Sequence, residues 1–194
     1  MFAGRTSASP SQNIVQNFVS GVILLVERSI RPGDVLGVDA RLVRVEEIGI
    51  RTTLVRTLDE EALIVPNATL VQSTVKNYTI QDNHFRLRIS VGVAYGSDMR
   101  QVRTVLESVG AALDWRLEDR QPLVLLCGFG SSSIDQELSV WTDDPWKQRV
   151  HYLVGSRGVW NALNDAGITI AFPQLDVHLD PSVSEAIARL PRAA

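Results

Sequence analysis

A chain of 194 residues is long enough for one or two modest hydrophobic cores, and its 45% hydrophobic and 21% charged residues are those of a folded protein. A formal net charge of −3 argues against a general nucleic-acid binder, and a single cysteine, Cys127, excludes an internal disulfide. No stretch reaches the roughly 18 to 20 apolar residues of a spanning helix; the longest candidate, Phe18 to Val26, is interrupted by Ser20 and Gly21.

Residues 1–12 are rich in Ser, Thr and Ala and read as a flexible lead-in without the apolar run of a secretory signal. Residues 13–27 read as a helix. At about 100° per residue, Ile14, Val15, Phe18, Val19, Val22, Leu25 and Val26 share one broad face, and Asn13, Gln16, Asn17, Ser20 and Gly21 share the other. Two readings stand: a surface helix packed on a core, or an interfacial helix whose following Arg28 and Arg31 sit at anionic lipid headgroups.

Pro32-Gly33-Asp34 is a turn, and from Val35 to about Tyr78 short runs rich in Val, Ile, Leu, Thr and Arg predict a small β unit of about five strands. From His84 to Tyr95 apolar and polar residues alternate, as in a strand with one buried face. Ser97 or Asp98 caps a helix through Val102, Val105, Leu106, Val109 and Leu113. Strands follow at Leu123 to Phe129 and through Ile134, Leu138 and Val140. A last helix starts at Asp144-Pro145 and ends at Gly167, and Ile168 to Leu179 is extended. The order β-α-β-β-α-β is the split βαβ pattern of ferredoxin-like domains, so the fold class is α+β.

Chemistry-bearing constellations are sparse. His84, His151 and His178 fall in separate elements with no metal-ligand spacing. Gly128-Phe129-Gly130-Ser131-Ser132-Ser133 lacks the Lys-Ser/Thr ending of a phosphate loop and reads as a turn between strands. The carboxylate pairs Glu46-Glu47, Glu60-Glu61 and Asp143-Asp144 are adjacent, and neighbours on a strand face opposite sides. Cys127, within an apolar run, reads as a buried, inert thiol. No catalytic site, metal or cofactor is expected, and the chain is not read as an enzyme.

Four segments together resemble the small-conductance mechanosensitive channel (MscS) family, cytoplasmic C-terminal portion. Gln12 to Gly21 is similar to the second half of the family's pore helix, and Glu27 to Asp34 to its link from membrane to cytoplasm. Val45 to Asn67 is similar to its Sm-like β domain, and Gly167-Ile168 with Phe172 to Leu179 to its closing signature. The resemblance implies domains at 13–27 (amphipathic half-helix), 28–79 (Sm-like β domain), 80–175 (ferredoxin-like α/β domain) and 176–194 (barrel strand and tail). It implies a homo-heptamer in a bacterial inner membrane, this portion on the cytoplasmic side, releasing ions and small osmolytes on hypo-osmotic tension. The implied partners are further copies of the chain, membrane lipids and the permeating ions and osmolytes, with no nucleic acid.

The residues assigned from this reading form three groups. Phe18, Val22, Leu25, Arg28 and Arg31 form a lipid interface. Asn17, Gly21 and Asn67 couple the helix to the β domain, with Asn67 in a turn after the strand Leu63 to Pro66 and its amide bonded to Asn17. Asp176, Val177, His178 and Leu179 give one strand to an oligomeric barrel. The sequence departs from the family at Val38 to Arg41, in place of a glycine-rich hairpin, and at Asp59-Glu60-Glu61, in place of an Asp-Gly turn. A soluble oligomeric scaffold and an RNA-binding ring are the alternatives. The six arginines from Arg28 to Arg56 favour the ring, but Asp34, Asp39, Glu46 and Glu47 are interspersed among them.

Overall fold

The computed structural model describes residues 10–175. Helix α1 occupies Pro10–Glu27, so its described part starts three residues before the periodic signal, which the polar Ser11 and Gln12 do not carry. Five short strands follow: β1 (Val35–Val38), β2 (Arg41–Ile48), β3 (Thr52–Thr57), β4 (Ala62–Pro66) and β5 (Lys76–Asn77), with helix α2 (Asn67–Gln72) before the last. They form one antiparallel sheet in the order β4-β3-β2-β1-β5. Leu36, Val43, Val45 and Val55 fill its core, and Leu24 of α1, Ile30 and Leu70 of α2 close it.

Two tight connections use residues that resist the backbone they adopt. Asp39 and Ala40 join β1 to β2 with φ of 47° and 61°, as a two-residue type I′ hairpin requires. Glu60, at φ 62°, closes the β3–β4 hairpin, its N–H donating to the Thr57 carbonyl at 3.2 Å. Ala at positive φ costs about 1–2 kcal/mol that glycine escapes. Ala40→Gly is therefore expected to stabilise the protein by about 1 kcal/mol, after the greater entropy of glycine in the unfolded chain is subtracted. An unchanged or lower denaturant midpoint would contradict this.

The second unit begins with β6 (Phe85–Val93), then α3 (Met99–Ala112), β7 (Leu123–Phe129), β8 (Ile134–Thr142), a 3₁₀ turn (Pro145–Lys147) and α4 (Gln148–Asp165). β8 lies between β6 and β7 and runs antiparallel to both, which is the split βαβ arrangement. Asp98 caps α3 by accepting from the Arg100 N–H at 2.8 Å, and Asp144 accepts from the Trp146 and Lys147 N–H groups. Gly167 ends α4 at φ 67°, donating to the Asn164 carbonyl, while Ile168 donates back to Leu163. Ile89, Val93, Val102, Leu106, Leu138, Val159 and Leu163 make the core. Gly155 lets α4 lie against β6, since a Cβ there would collide with Ile89 Cδ1.

Several expectations are corrected. The extended run predicted from Ile168 is, within the described residues, a single bridge of Ile170 to Val93 at the free side of β6, flanked by bonds from Ala94 to Thr169 and Ala171 to Gly92. Cys127 is exposed, because β7 is an edge strand and Cys127 sits at its bulge between Leu126 and Gly128. Asn67 does not lie in a turn but opens α2. The glycine-serine run, by contrast, is the strand connection expected: Gly128 and Phe129 end β7, and 130–133 turn into β8, with the Gly130 N–H donating to the Ser133 carbonyl at 2.7 Å.

His151, 7% exposed, stacks on Trp115 with ring centroids 4.5 Å apart and lies 3.2 Å from Thr142 Oγ1 through Nδ1. Burial pushes its pKa below the ordinary value of 6.5, with Lys147 acting in the same direction and Asp144, Asp114 and Asp143 opposing. The unfolded chain therefore takes up this proton first as pH falls. The resulting stability is complete above the unfolded pKa and is lost as pH drops from there towards the folded one. Denaturation midpoints should fall on acidification below about pH 6.5, and His151→Gln should flatten that limb. An unchanged limb in the variant would contradict the assignment.

Candidate functional site

Helix α1 packs in the opposite sense to an ordinary surface helix. Its buried positions are Ser20, Gly21 and Leu24, with Asn17 half-buried beside them: one stripe at helical spacing, made mostly of small and polar groups. The predicted apolar face points outward. Phe18 is 46% exposed, Val22 42% and Leu25 52%, and Ile14, Val15, Val19 and Val26 are exposed with them. A row of large apolar side chains with no described neighbour marks an interaction surface.

The buried stripe is tied down by specific contacts. Helix α2 follows Pro66 and has no side-chain cap of its own. Asn17 Oδ1 fills that role from α1, accepting from the Ala68 N–H at 3.0 Å, while Asn17 Nδ2 donates to the Asn13 carbonyl at 2.8 Å. One residue earlier, the buried Asn67 side chain clips the tip of the β2–β3 hairpin. Its Nδ2 donates to the Gly49 carbonyl at 2.9 Å, and its Oδ1 accepts from Thr53 Oγ1 at 2.8 Å. The Asn67 N–H reaches the Arg51 carbonyl at 3.0 Å. Gly21 presses on the same tip. A Cβ at Gly21 would run into the Ile50 carbonyl oxygen and lie 2.6 Å from Asn67 Nδ2.

The structure thus brings Asn17, Gly21 and Asn67 to one junction, but the amides of Asn17 and Asn67 do not bond each other. Asn17 reaches the backbone beyond Asn67, and Asn67 is occupied by the hairpin. Thr53, which completes that junction, carries no distinguishing signal in the sequence, where it reads as an ordinary strand residue.

Arg28 terminates α1 in a left-handed conformation, φ 53°, its N–H donating to the Leu24 carbonyl at 3.0 Å. Arg31 Nε reaches the Arg28 carbonyl at 3.4 Å. Both arginines are exposed and neither pairs with a carboxylate among the described residues. They border an open cleft of about 360 Å³ floored by Leu24, Leu25, Ile30 and Ile48. Asp176, Val177, His178 and Leu179 lie outside the described residues. Among the described residues no group of three His, Cys, Asp or Glu side chains could hold a metal ion, and no helix is long and apolar enough to cross a membrane.

Two family models cover most of the chain. Residues 13–80 match that of the mechanosensitive ion channel β-domain, and residues 87–170 match that of the mechanosensitive ion channel MscS C-terminal region. The chain belongs to the MscS family. An uncharacterized MscS family protein of Haemophilus influenzae is 38% identical over 168 residues, which are 87% of this chain and 15% of that protein. The mechanosensitive channel MscK of Escherichia coli is 33% identical over 181 residues, 93% of this chain and 16% of that protein. The chain therefore spans about a sixth of the length of these relatives. The fold is that of the Helicobacter pylori MscS crystal structure in its closed state, with a TM-score of 0.75 at 23% identity, over 87% of this chain and 66% of that one.

Proposed function

We propose that this chain forms the cytoplasmic vestibule portion of a mechanosensitive channel of the inner membrane, a homo-heptamer that releases ions and small osmolytes when the bilayer is stretched. The observation that carries the reading is the orientation of α1. Its buried stripe is fixed by Asn17 on α2, by Gly21 on the β2–β3 tip and by Leu24 in the β core, which leaves Phe18, Val22 and Leu25 to meet neighbouring subunits or lipid. A soluble scaffold has no use for seven exposed large apolar side chains on one helix. The ring of subunits supplies the cover that a single copy lacks.

Work done by tension favours the membrane state of larger area, and the sheet that holds α1 sets how far the helix swings. Arg28 and Arg31, beside their apolar cleft, anchor the helix end to anionic headgroups. Two of the six arginines counted above are engaged within the protein. Arg56 pairs with Glu46 and Glu60, and Arg44 lies 4.3 Å over the Trp146 ring. Of the four that remain exposed, Arg28, Arg31, Arg41 and Arg51, only Arg28 and Arg31 border the apolar cleft, which supports a lipid role for that pair over an RNA-binding one.

Vesicle flotation tests the anchoring. With about 1 kcal/mol per basic residue near an anionic surface, Arg28→Gln together with Arg31→Gln is expected to weaken binding to phosphatidylglycerol vesicles about tenfold to thirtyfold. Neutral vesicles should show no such difference. Equal binding of wild type and the double variant to anionic vesicles would remove the lipid role, and a shift with added oligonucleotide would favour the ring that grips RNA.

A further inference from the structure

We infer that Asp34 is a positioning residue that ties the exit of α1 to the segment leading into the second unit, so that displacement of the helix is passed on to the α/β sheet. The inference rests on the channel reading above for its functional consequence, and on geometry alone for the tie.

Arg31-Pro32-Gly33-Asp34 is a type II turn, with proline second, Gly33 third at φ 92°, and the Asp34 N–H returning to the Arg31 carbonyl at 3.0 Å. The turn aims the Asp34 carboxylate across to the far end of the β unit in sequence. Its Oδ2 accepts from the Arg31 N–H at 2.9 Å and from Asn77 Nδ2 at 2.8 Å, and its Oδ1 accepts from Thr79 Oγ1 at 3.0 Å. Asn77 Nδ2 also lies 3.3 Å from the Ser29 carbonyl, one residue past Arg28. The Val35 N–H donates to Thr79 Oγ1 at 3.1 Å, and the Thr79 N–H to Asn77 Oδ1 at 2.9 Å. Asp34, Asn77 and Thr79 are all half-buried, where bonds to a carboxylate are stronger than at an open surface.

The node matters because little else holds this segment. β5 is two residues long and pairs with β1 at Leu36–Asn77 and Gly37–Lys76, with one further bond from the Tyr78 N–H to the Val35 carbonyl at 2.9 Å. Beyond the node, the Tyr78 and Phe85 rings meet edge to face, 5.4 Å between centroids, and Phe85 opens β6. The route from α1 therefore runs through Ser29 and Arg31 to Asp34, across to Asn77 and Thr79, and by Tyr78 and Phe85 into the second sheet. The left-handed Arg28 supplies a bend at the start of this route.

Amide hydrogen exchange on the full chain tests the tie. Asp34→Asn sets an amide donor against the Asn77 donor. The Arg31, Tyr78 and Thr79 amides should then exchange about tenfold faster or more, the change that losing one bond to a charged group produces, while the β2 and β3 core amides stay unchanged. Exchanging the pair, Asp34→Asn with Asn77→Asp, restores a donor facing an acceptor between these two side chains and should bring the Tyr78 and Thr79 amides back to within about threefold of wild type, while the Arg31 amide, whose acceptor was the same Asp34 oxygen, stays fast. No acceleration, equal acceleration throughout the sheet, or no recovery in the exchanged pair would overturn the tie. In membrane patches of the channel subunit bearing this segment, Asp34→Asn should shift the midpoint tension and the exchanged pair should move it back. Patches in which wild type responds to suction and Asp34→Asn matches it would overturn the coupling role. A wild type silent under suction would defeat the channel reading, while the exchange data still judge the tie.

Discussion

Replacing Gly21 with valine should pull α1 off the β sheet. In an exposed helix interior Gly→Ala stabilises by about 1 kcal/mol. At Gly21 the sign reverses, because the new Cβ meets a backbone carbonyl at Ile50 and the Asn67 amide, and neither is the free end of a flexible side chain. Over-packing of this kind costs about 1–3 kcal/mol, and the larger valine is expected at the upper end. Leu24, whose side chain closes the β core, would be drawn out with the helix, and Asn17 would lose its bond to Ala68. Gly21→Ala should therefore lower the denaturation midpoint and Gly21→Val should lower it further, with α1 amides losing protection first. A stabilising Gly21→Ala would mean that α1 does not lie on this hairpin.

The second large effect is expected at Asn67. Truncation to alanine removes one donor and one acceptor from a fully buried position and leaves the Gly49 carbonyl and the Thr53 hydroxyl unpaired. Unpaired buried polar groups cost about 1–3 kcal/mol each, so a loss of about 2–4 kcal/mol is expected on chemical denaturation. Asn17→Ala removes only a half-buried cap and should cost about 1 kcal/mol. Asn67 and Ala68, the residue that Asn17 caps, are consecutive in the first turn of α2, so the double variant should fall short of the sum. A loss below about 1 kcal/mol at Asn67 would show that the hairpin tip holds its shape without the clip.

The fold was largely legible in the residues. Period-two alternation gave β6, helical spacing gave α3, and Asp98, Asp144 and Gly167 marked helix ends through local chemistry that acts within a few residues of the chain. The arrangement of α1 was legible only as a choice between faces. Periodicity separates Phe18 and Val22 from Asn17 and Gly21, but it assumes that the apolar face turns inward. Here the inward face is the small one, because close approach to the hairpin backbone needs Gly21 and Ser20, not bulk. The junction partners were less accessible still. Asn67 reaches Thr53 across 14 positions and Asp34 reaches Thr79 across 45. Such pairings arise only when strands return in a particular register, so a single sequence carries no local trace of them. Cys127 departs from its expected burial for a related reason: an apolar run looks the same in a central strand as in an edge strand, and β7 is at the edge.

The proposed function makes this chain part of a pore opened by membrane tension. Its most direct test is single-channel recording from liposome patches containing the purified channel subunit that bears this segment, with suction applied in steps. Conductance is expected to appear as suction rises and to vanish on its release, at constant voltage and with no added ligand. Patches that hold the assembled protein but stay silent up to the tension at which the bilayer ruptures would contradict it.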